Sequence, residues 1–479
     1  MNKLSFSWKI FFVALLARLI PVLLTRSLGI GLDDMFQYDM LARSLASGNG
    51  FRWYAFDDLQ HLSPYVDFDL SAIPYDPARG VPTSFRAPLY PAFLALIYFF
   101  TGSGAERFFV ARLAQVVLGA ALAPLTCQIA RRIFPQHQPA SVISAWIVAL
   151  YPLLLIYPIG LATENLFFTL LLLSFLYLLK VVEQPVSRNF LLSGFFLGLT
   201  ILTRSVIIPF LGLAILWLWF VLRQKRGAVL VALAALALIL PWVARNSLLH
   251  GKLTAVESSM GYNLYVGYHP ESDGSFTFGV SLDLLSILDD AERDQIGKHA
   301  AWEFMRAQPE RFIPLLINRV GYFFGLEKRA LMYFYSNNLL GELPTSILLA
   351  AAGILLLPFV LVSLSAVLGL ALGGFNQRIF LAWVLMAVYM LPHFLILSED
   401  RFHLALVPFF AIFAARAWTG GLREIPMRWR ASRAGKVVLS IAILSICLLC
   451  LNWGLELMRD ADKIAALLAP GGNQTYFPY

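Results

Sequence analysis

The sequence has 479 residues, of which 59% are hydrophobic and 14% charged, with a formal net charge of +8. Soluble chains carry about a quarter charged residues, so this one cannot cover itself in polar surface. Its apolar residues fall in runs of about twenty, the length a helix needs to cross a hydrocarbon core. Nucleic-acid binding would require a basic face on a recognisable module, and none is present.

The first apolar run, about 6–25, follows Lys3 and Lys9 and has no small-residue cleavage site. It reads as an uncleaved anchor with its N-terminus inside. From 26 to 88 the chain is polar and Pro-rich, with Asp57, Asp58, Asp67, Asp69 and Asp76 among aromatic residues, and is expected outside the membrane. A run of thirteen residues near 89–101, preceded by two prolines, is short for a span and reads as re-entrant or interfacial. Spans are expected near 107–130, 140–158, 165–180, 190–203, 205–222 and 228–243. A second polar stretch, about 246–343, contains GYNLYVGYHPESDGSF and then one or two amphipathic helices interrupted by Pro309 and Pro314. Four more spans, near 345–369, 379–397, 402–419 and 437–456, close the chain.

The expected fold is therefore an all-α polytopic membrane protein with about eleven transmembrane helices and juxtamembrane helices in two extracytoplasmic loops. Three parts follow: an N-terminal module 1–245 with its first outer loop 26–88, an outer loop 246–344, and C-terminal helices 345–479. Basic clusters at Arg223, Lys225 and Arg226 and at Arg423, Arg428, Arg430, Arg433 and Lys436 mark cytoplasmic loops. Cys127, Cys447 and Cys450 all lie inside apolar runs, where packing rather than redox or metal chemistry is expected.

With that orientation, Asp33, Asp34, Arg86, Arg112, Glu164, Arg204, Arg245, Glu399, Asp400 and Arg401 all fall at the outer membrane face. Charges at span ends ordinarily just reach for water. Five arginines on the side where the positive-inside rule disfavours them are harder to dismiss. Arginine suits phosphate, because its fork gives bidentate, charge-assisted hydrogen bonds and keeps its proton. A nearby carboxylate can act as general base on an acceptor hydroxyl. Together they suit glycosyl transfer from a lipid-linked phosphosugar, with the arginines stabilising charge on the leaving phosphate. Arg86, Arg112, Arg204, Arg245 and Arg401 are the candidate phosphate ligands, and Asp34, Asp33 and Glu164 the candidate catalytic acids. Against these stand plainer roles: Asp33 or Asp34 as a helix N-cap, Glu164 as a solvated helix end, and the arginines as headgroup anchors.

The segment GLDDMFQYDMLARSLASGNGF resembles the first outer loop of GT-C superfamily glycosyltransferases. More narrowly, it is similar to the bacterial branch of the protein O-mannosyltransferase and lipid A aminoarabinose transferase group. In that group two acids precede a Tyr, an Ala and a Gly-rich end. Here Asp34 stands four residues before Tyr38, with Ala42, Gly48, Gly50 and Phe51 following. The resemblance continues, in order, through SFRAPLYPAFLALIYFFTG, ARLAQ, LATENLF, LTRS, PWVARN, GYNLYVGYHP and EDRFHLALVPFF. It implies a polyprenyl-phosphate-linked sugar donor, an active site on the extracytoplasmic side of the inner (plasma) membrane, an inverting single displacement, and Asp34 as base. An Asp-Asp pair stands where Asp-Glu is commoner, which leaves Asp33 as the alternative. Tyr38, Tyr262 and Asn263 are candidate substrate contacts, although Tyr262 and Asn263 also suit a turn. The acceptor is a glycan, a lipid or a protein. No cofactor is assigned, and metal dependence stays open, because a carboxylate pair could hold a divalent ion or act unaided. The competing readings are a secondary transporter, which would place charges near mid-membrane on broken helices, and a lipid-binding subunit without catalysis.

Overall fold

The computed structural model describes residues 3–71, 73–329, 331, 343–421 and 423–469. The end of the 246–344 stretch and the C-terminal tail thus lie partly outside the described residues. After α1 (Lys3–Leu24), the first polar stretch is partly helical, as expected. It forms α2 (Asp34–Ala46), α3 (Phe56–Leu62) and a two-stranded antiparallel ribbon pairing Arg52 with Pro82 and Trp53 with Val81. The chain continues through α4 (Leu89–Thr101), α5 (Glu106–Ile133), α6 (Gln138–Leu150), α7 (Pro152–Ile156), α8 (Glu164–Glu183), α9 (Ser187–Thr203), α10 (Ile208–Leu216) and α11 (Lys225–His250). The second polar stretch holds α12 (Met260–Tyr268), α13 (Phe278–Leu282), α14 (Asp290–Ala307) and α15 (Phe312–Phe323). The C-terminal part is α16 (Thr345–Leu372), α17 (Gln377–Leu395), a 3₁₀ segment Asp400–Leu406 leading into α18 (Val407–Gly420), α19 (Glu424–Ala431), α20 (Arg433–Arg459) and α21 (Ala461–Leu468).

Among the described residues, eight of these helices are long and apolar enough to cross a membrane, and a bent pair makes nine. The expectation of about eleven came from three runs that the backbone interrupts or shortens. The 140–158 run breaks at Pro152 into α6 and α7, bent by 53°. Helix α9 has only 17 residues, because Arg204 adopts an extended conformation (φ −150°, ψ 120°). Beyond it, 205–221 passes from 3₁₀ through α10 into a π-helical turn at Trp217–Val221. Helix α4, at 13 residues, is about 20 Å long, short of a hydrocarbon core. Pro309 separates α14 from α15, while Pro314 sits in the first turn of α15, where its missing N–H costs nothing.

Burial sorts the spans into an interior and a rim. In the most apolar window of Asp400–Gly420, 89% of residues are buried, and in Glu164–Glu183, 78%. Arg433–Arg459 and Thr345–Leu372 bury only 17% and 22% and turn Leu, Ile and Val outward, as helices facing lipid do. Helix α18 packs between α6 and α16, and α8 between α5 and α9.

The bend at Pro152 explains a charge deep in the bundle. Pro152 has no N–H for the carbonyl of Val148, four residues back. Arg18 of α1, fully buried, fills the gap: Nη2 donates to Val148 O and Nη1 to Ala149 O, both at 2.9 Å. A Cβ on Gly119 would meet Arg18 Cδ at 3.1 Å, so α5 carries glycine where the guanidinium stem passes. Arg18→Met fills the space but donates nothing, and is expected to destabilise the protein by roughly 2–4 kcal/mol for two orphaned carbonyls. Thermal unfolding in detergent measures this, and an unchanged Tm would show that Arg18 does not brace the bend.

Candidate active site

Helix α2 starts where Asp33 caps it, its Oδ1 accepting from Met35 N at 2.8 Å. Capping uses Asp33 and leaves Asp34, in the first helical turn, to face inward. The segment that meets it is anchored from α14: Asp290 Oδ2 accepts from Thr83 Oγ1 at 2.5 Å and from Ser84 N at 2.6 Å. Arg293 pairs with the same Asp290 carboxylate. Held in this way, Arg86 lies beside α2. Its Nη2 donates to Asp34 Oδ1 and its Nε to Gln37 Oε1 at 2.9 Å. One turn along α2, the buried ring of Tyr38 lies 5.3 Å from the Arg86 guanidinium carbon.

The other oxygen of Asp34 faces the C-terminal part of the chain. Arg401, in the 3₁₀ segment before α18, reaches Asp34 Oδ2 with Nη2 at 3.4 Å and Glu399 Oε2 with Nε at 2.6 Å. Arg329 closes the far side, 3.2 Å from Glu399 Oε1 and 3.4 Å from Asp400 Oδ1. Arg204, at the end of α9, pairs with Glu164 at the start of α8 at 2.6 Å, and its charge also acts on Asp34. Four guanidinium groups (Arg86, Arg204, Arg329, Arg401) thus interleave with four carboxylates (Asp34, Glu164, Glu399, Asp400) contributed by six separate stretches of chain.

Desolvation by the surrounding protein pushes the Asp34 carboxyl up, but Arg86, then Arg401 and Arg204, overcome this and hold it at about 2. Burial likewise pushes Glu399 up, and Arg329 and Arg401 bring it below its ordinary value. The Asp34 side chain remains 37% exposed, so the paired carboxylate is still open to solvent. Among the described residues no group of three or more His, Cys, Asp or Glu side chains could hold a metal ion.

Of the expected site residues, Asp34, Glu164, Arg86, Arg204, Arg401 and Tyr38 come together. Arg112 does not join them. It is fully buried and donates to the carbonyls of Ile159 (2.7 Å), Leu28 (2.6 Å) and Gly29 (2.7 Å), so it braces the turn that leads to Asp33. Arg245 donates to Thr83 O at 2.5 Å and Phe51 O at 3.2 Å and lies over Trp242, tying the outer ribbon to α11. Both arginines therefore correct the expectation of phosphate contact: their forks hold backbone. Tyr262 and Asn263 lie in α12 rather than in a turn. Tyr262 packs edge-on against Phe85 at 5.4 Å, next to Arg86, and donates to Ser281 O at 3.1 Å. Asn263 follows it, half-buried, with its N–H on Ser259 O at 3.0 Å. Two members were not anticipated. Gln37 stands three residues after Asp34, a spacing that places both on one helix face. Arg329, in the GLEKR segment, carries no sequence signal beyond its basic character within the 246–344 stretch.

Residues 85–244, about one third of the chain, match the family model described as dolichyl-phosphate-mannose-protein mannosyltransferase. No curated protein matches the sequence. Among solved structures, the Archaeoglobus fulgidus oligosaccharyltransferase in the apo form aligns over 100% of this chain and 61% of its own, with a TM-score of 0.48 and 14% identity. This chain therefore spans under two thirds of the length of that protein. ArnT from Cupriavidus metallidurans, bound to undecaprenyl phosphate, aligns over 88% of this chain and 79% of its own, with a TM-score of 0.39 and 14% identity. The family match takes in Arg86, Arg112, Glu164 and Arg204 and stops one residue before Arg245, so over that third of the chain the similarity to the protein-mannosyltransferase group read from the motifs is shown.

Proposed function

We propose that this chain is an inverting glycosyltransferase that moves a sugar from a polyprenyl-phosphate-linked donor to a hydroxyl of a glycan, lipid or protein acceptor. The supporting observation is the Asp34 carboxylate, held between Arg86 and Arg401 where apolar spans meet the outer segments. A phosphate on a long lipid has its charge at that depth and its tail among the apolar helices. Asp34 takes the proton from the acceptor hydroxyl as that oxygen bonds to the anomeric carbon. The bond from that carbon to the phosphate oxygen breaks, and its electron pair leaves with the phosphate. Arg401, Arg204 and Arg86 stabilise the charge that grows there. The family match supports the donor class, since its description names a dolichyl-phosphate sugar. The test is transfer by the purified protein from a synthetic polyprenyl-phosphate hexose, together with mass spectrometry of glycolipids and glycoproteins from cells with and without the gene. A donor left unconsumed and an unchanged glycan profile would refute the reading.

In this reading the site lies on the extracytoplasmic side of the plasma membrane, an orientation supported by the basic clusters at 223–226 and 423–436, which it keeps inside. A cysteine at Ser63 should then react with an impermeant thiol reagent on intact cells, and one at Gln224 should not. Labelling at 224 but not at 63 would reverse the orientation.

A further inference from the structure

Glu399 is held in a way that its neighbours are not. Its side chain is only 10% exposed and bridges two cations, with Oε1 3.2 Å from Arg329 Nη2 and Oε2 2.6 Å from Arg401 Nε. Yet among the described residues neither Glu399 Oε2 nor Arg401 Nε makes a directed hydrogen bond, although both atoms are buried. The contact is charge against charge with poor alignment, and such groups give up little when a better-shaped acceptor arrives. Two other contacts of this pair of arginines are also long: Arg401 to Asp34 at 3.4 Å and Arg329 to Asp400 at 3.4 Å. Arg86 differs, since its fork is engaged on both Asp34 and Gln37. Two guanidinium groups facing one carboxylate from either side form the arrangement that a tetrahedral oxyanion fits, with more oxygens to share between the two forks.

We propose that Glu399 stands in for the donor phosphate in the resting site, and that the phosphate displaces it so that Arg329 joins Arg401 as a ligand. This rests on the polyprenyl-phosphate reading above and adds one binding residue, Arg329, and one carboxylate gate, Glu399. Glu399 lies in an extended stretch (φ −141°, ψ 157°) between the end of α17 and the 3₁₀ segment, where a side-chain swing disturbs no helical hydrogen bond. When the phosphate draws Arg401 toward itself, Asp34 loses one of its two cations as the acceptor arrives, and its carboxylate becomes the better base.

A gate and a ligand respond oppositely to mutation. The experiment measures binding of undecaprenyl phosphate to the full-length protein in nanodiscs. Glu399→Gln removes the competing charge and is expected to tighten binding several-fold, because a larger fraction of the protein has its arginines available. Arg329→Gln is expected to weaken binding about ten- to a hundredfold, with Arg329→Lys in between. Glu399→Asp, a gentler change that keeps the charge but is too short to span both guanidinium groups, should also tighten binding and covers the case in which the glutamine variant fails to fold. Unchanged or weaker binding in the folded Glu399 variants, or unchanged binding in Arg329→Gln, overturns the gate. Wild-type protein that neither binds undecaprenyl phosphate nor transfers sugar from it would overturn the donor reading, and the gate with it. Wild type that binds and transfers normally, with these variants silent, would refute the gate alone.

Discussion

Asp34→Asn is expected to leave the protein folded and membrane-inserted while lowering turnover by roughly 10²–10⁴-fold, the contribution of a positioned general base. Asparagine keeps an oxygen for Arg86 and the shape of the first turn of α2, so a loss of this kind reports on proton transfer rather than on packing. The neighbouring Asp33→Asn should cost little, because asparagine caps a helix about as well as aspartate and Asp33 Oδ1 serves Met35 N. The pH dependence should follow the same assignment. A carboxyl held at about 2 by its arginines stays ionised as pH falls from neutrality through the ordinary carboxylate range. In the unliganded enzyme Asp34 should therefore contribute no acid limb to kcat/KM until well below pH 4. An inactive Asp33→Asn beside an active Asp34→Asn would move the base back one residue. Full activity in both single variants and in the double would end the catalytic assignment.

Among the arginines, lysine substitution should separate those that act on the leaving phosphate from those that hold backbone. Arg401→Lys keeps a charge but loses the fork. It is expected to lower turnover at saturating donor by about tenfold, and Arg401→Ala by about 10²–10³-fold, as for removal of a group aimed at developing charge. Such an interaction strengthens as the glycosidic bond breaks, so kcat should fall more than donor affinity. Arg204→Lys should behave similarly but add a stability loss, since Glu164 would lose its 2.6 Å partner. Arg112→Lys and Arg245→Lys should instead lower Tm with little specific effect on turnover of the protein that remains folded, because one lysine cannot serve several separate carbonyls. Steady-state kinetics and thermal unfolding on the same preparations check this. If Arg401→Lys matched wild type in kcat while Arg112→Lys lost kcat at unchanged Tm, the two roles would have to be exchanged.

Much of this was legible in the sequence, for reasons that can be named. Membrane spans are set by one variable, the length of an apolar run against the thickness of hydrocarbon, and α1, α5, α8, α11, α16, α17 and α20 follow it. The same local information put Arg86, Glu164, Arg204 and Arg401 beside apolar runs and Asp34 in the outer stretch after the first of them, hence near one depth, and Asp34 four residues before Tyr38 put both on one face of α2. What sequence alone could not reveal is direction around the helix axis and the partner found there. Arg112 and Arg204 carry the same signature, an arginine at the edge of an apolar run, yet one meets a carboxylate and the other three carbonyls. The difference arises because the turns at Leu28–Gly29 and Ile159 leave backbone acceptors without a ladder, and these happen to lie across from α5. Arg18 repeats the lesson at the Pro152 break, where a missing N–H 134 residues away decides what a buried charge is for. Depth in the membrane and helical face are properties of a segment and can be read from it. Which buried acceptor or carboxylate a charged side chain satisfies is a property of segments far apart in the chain, and only their packing decides it.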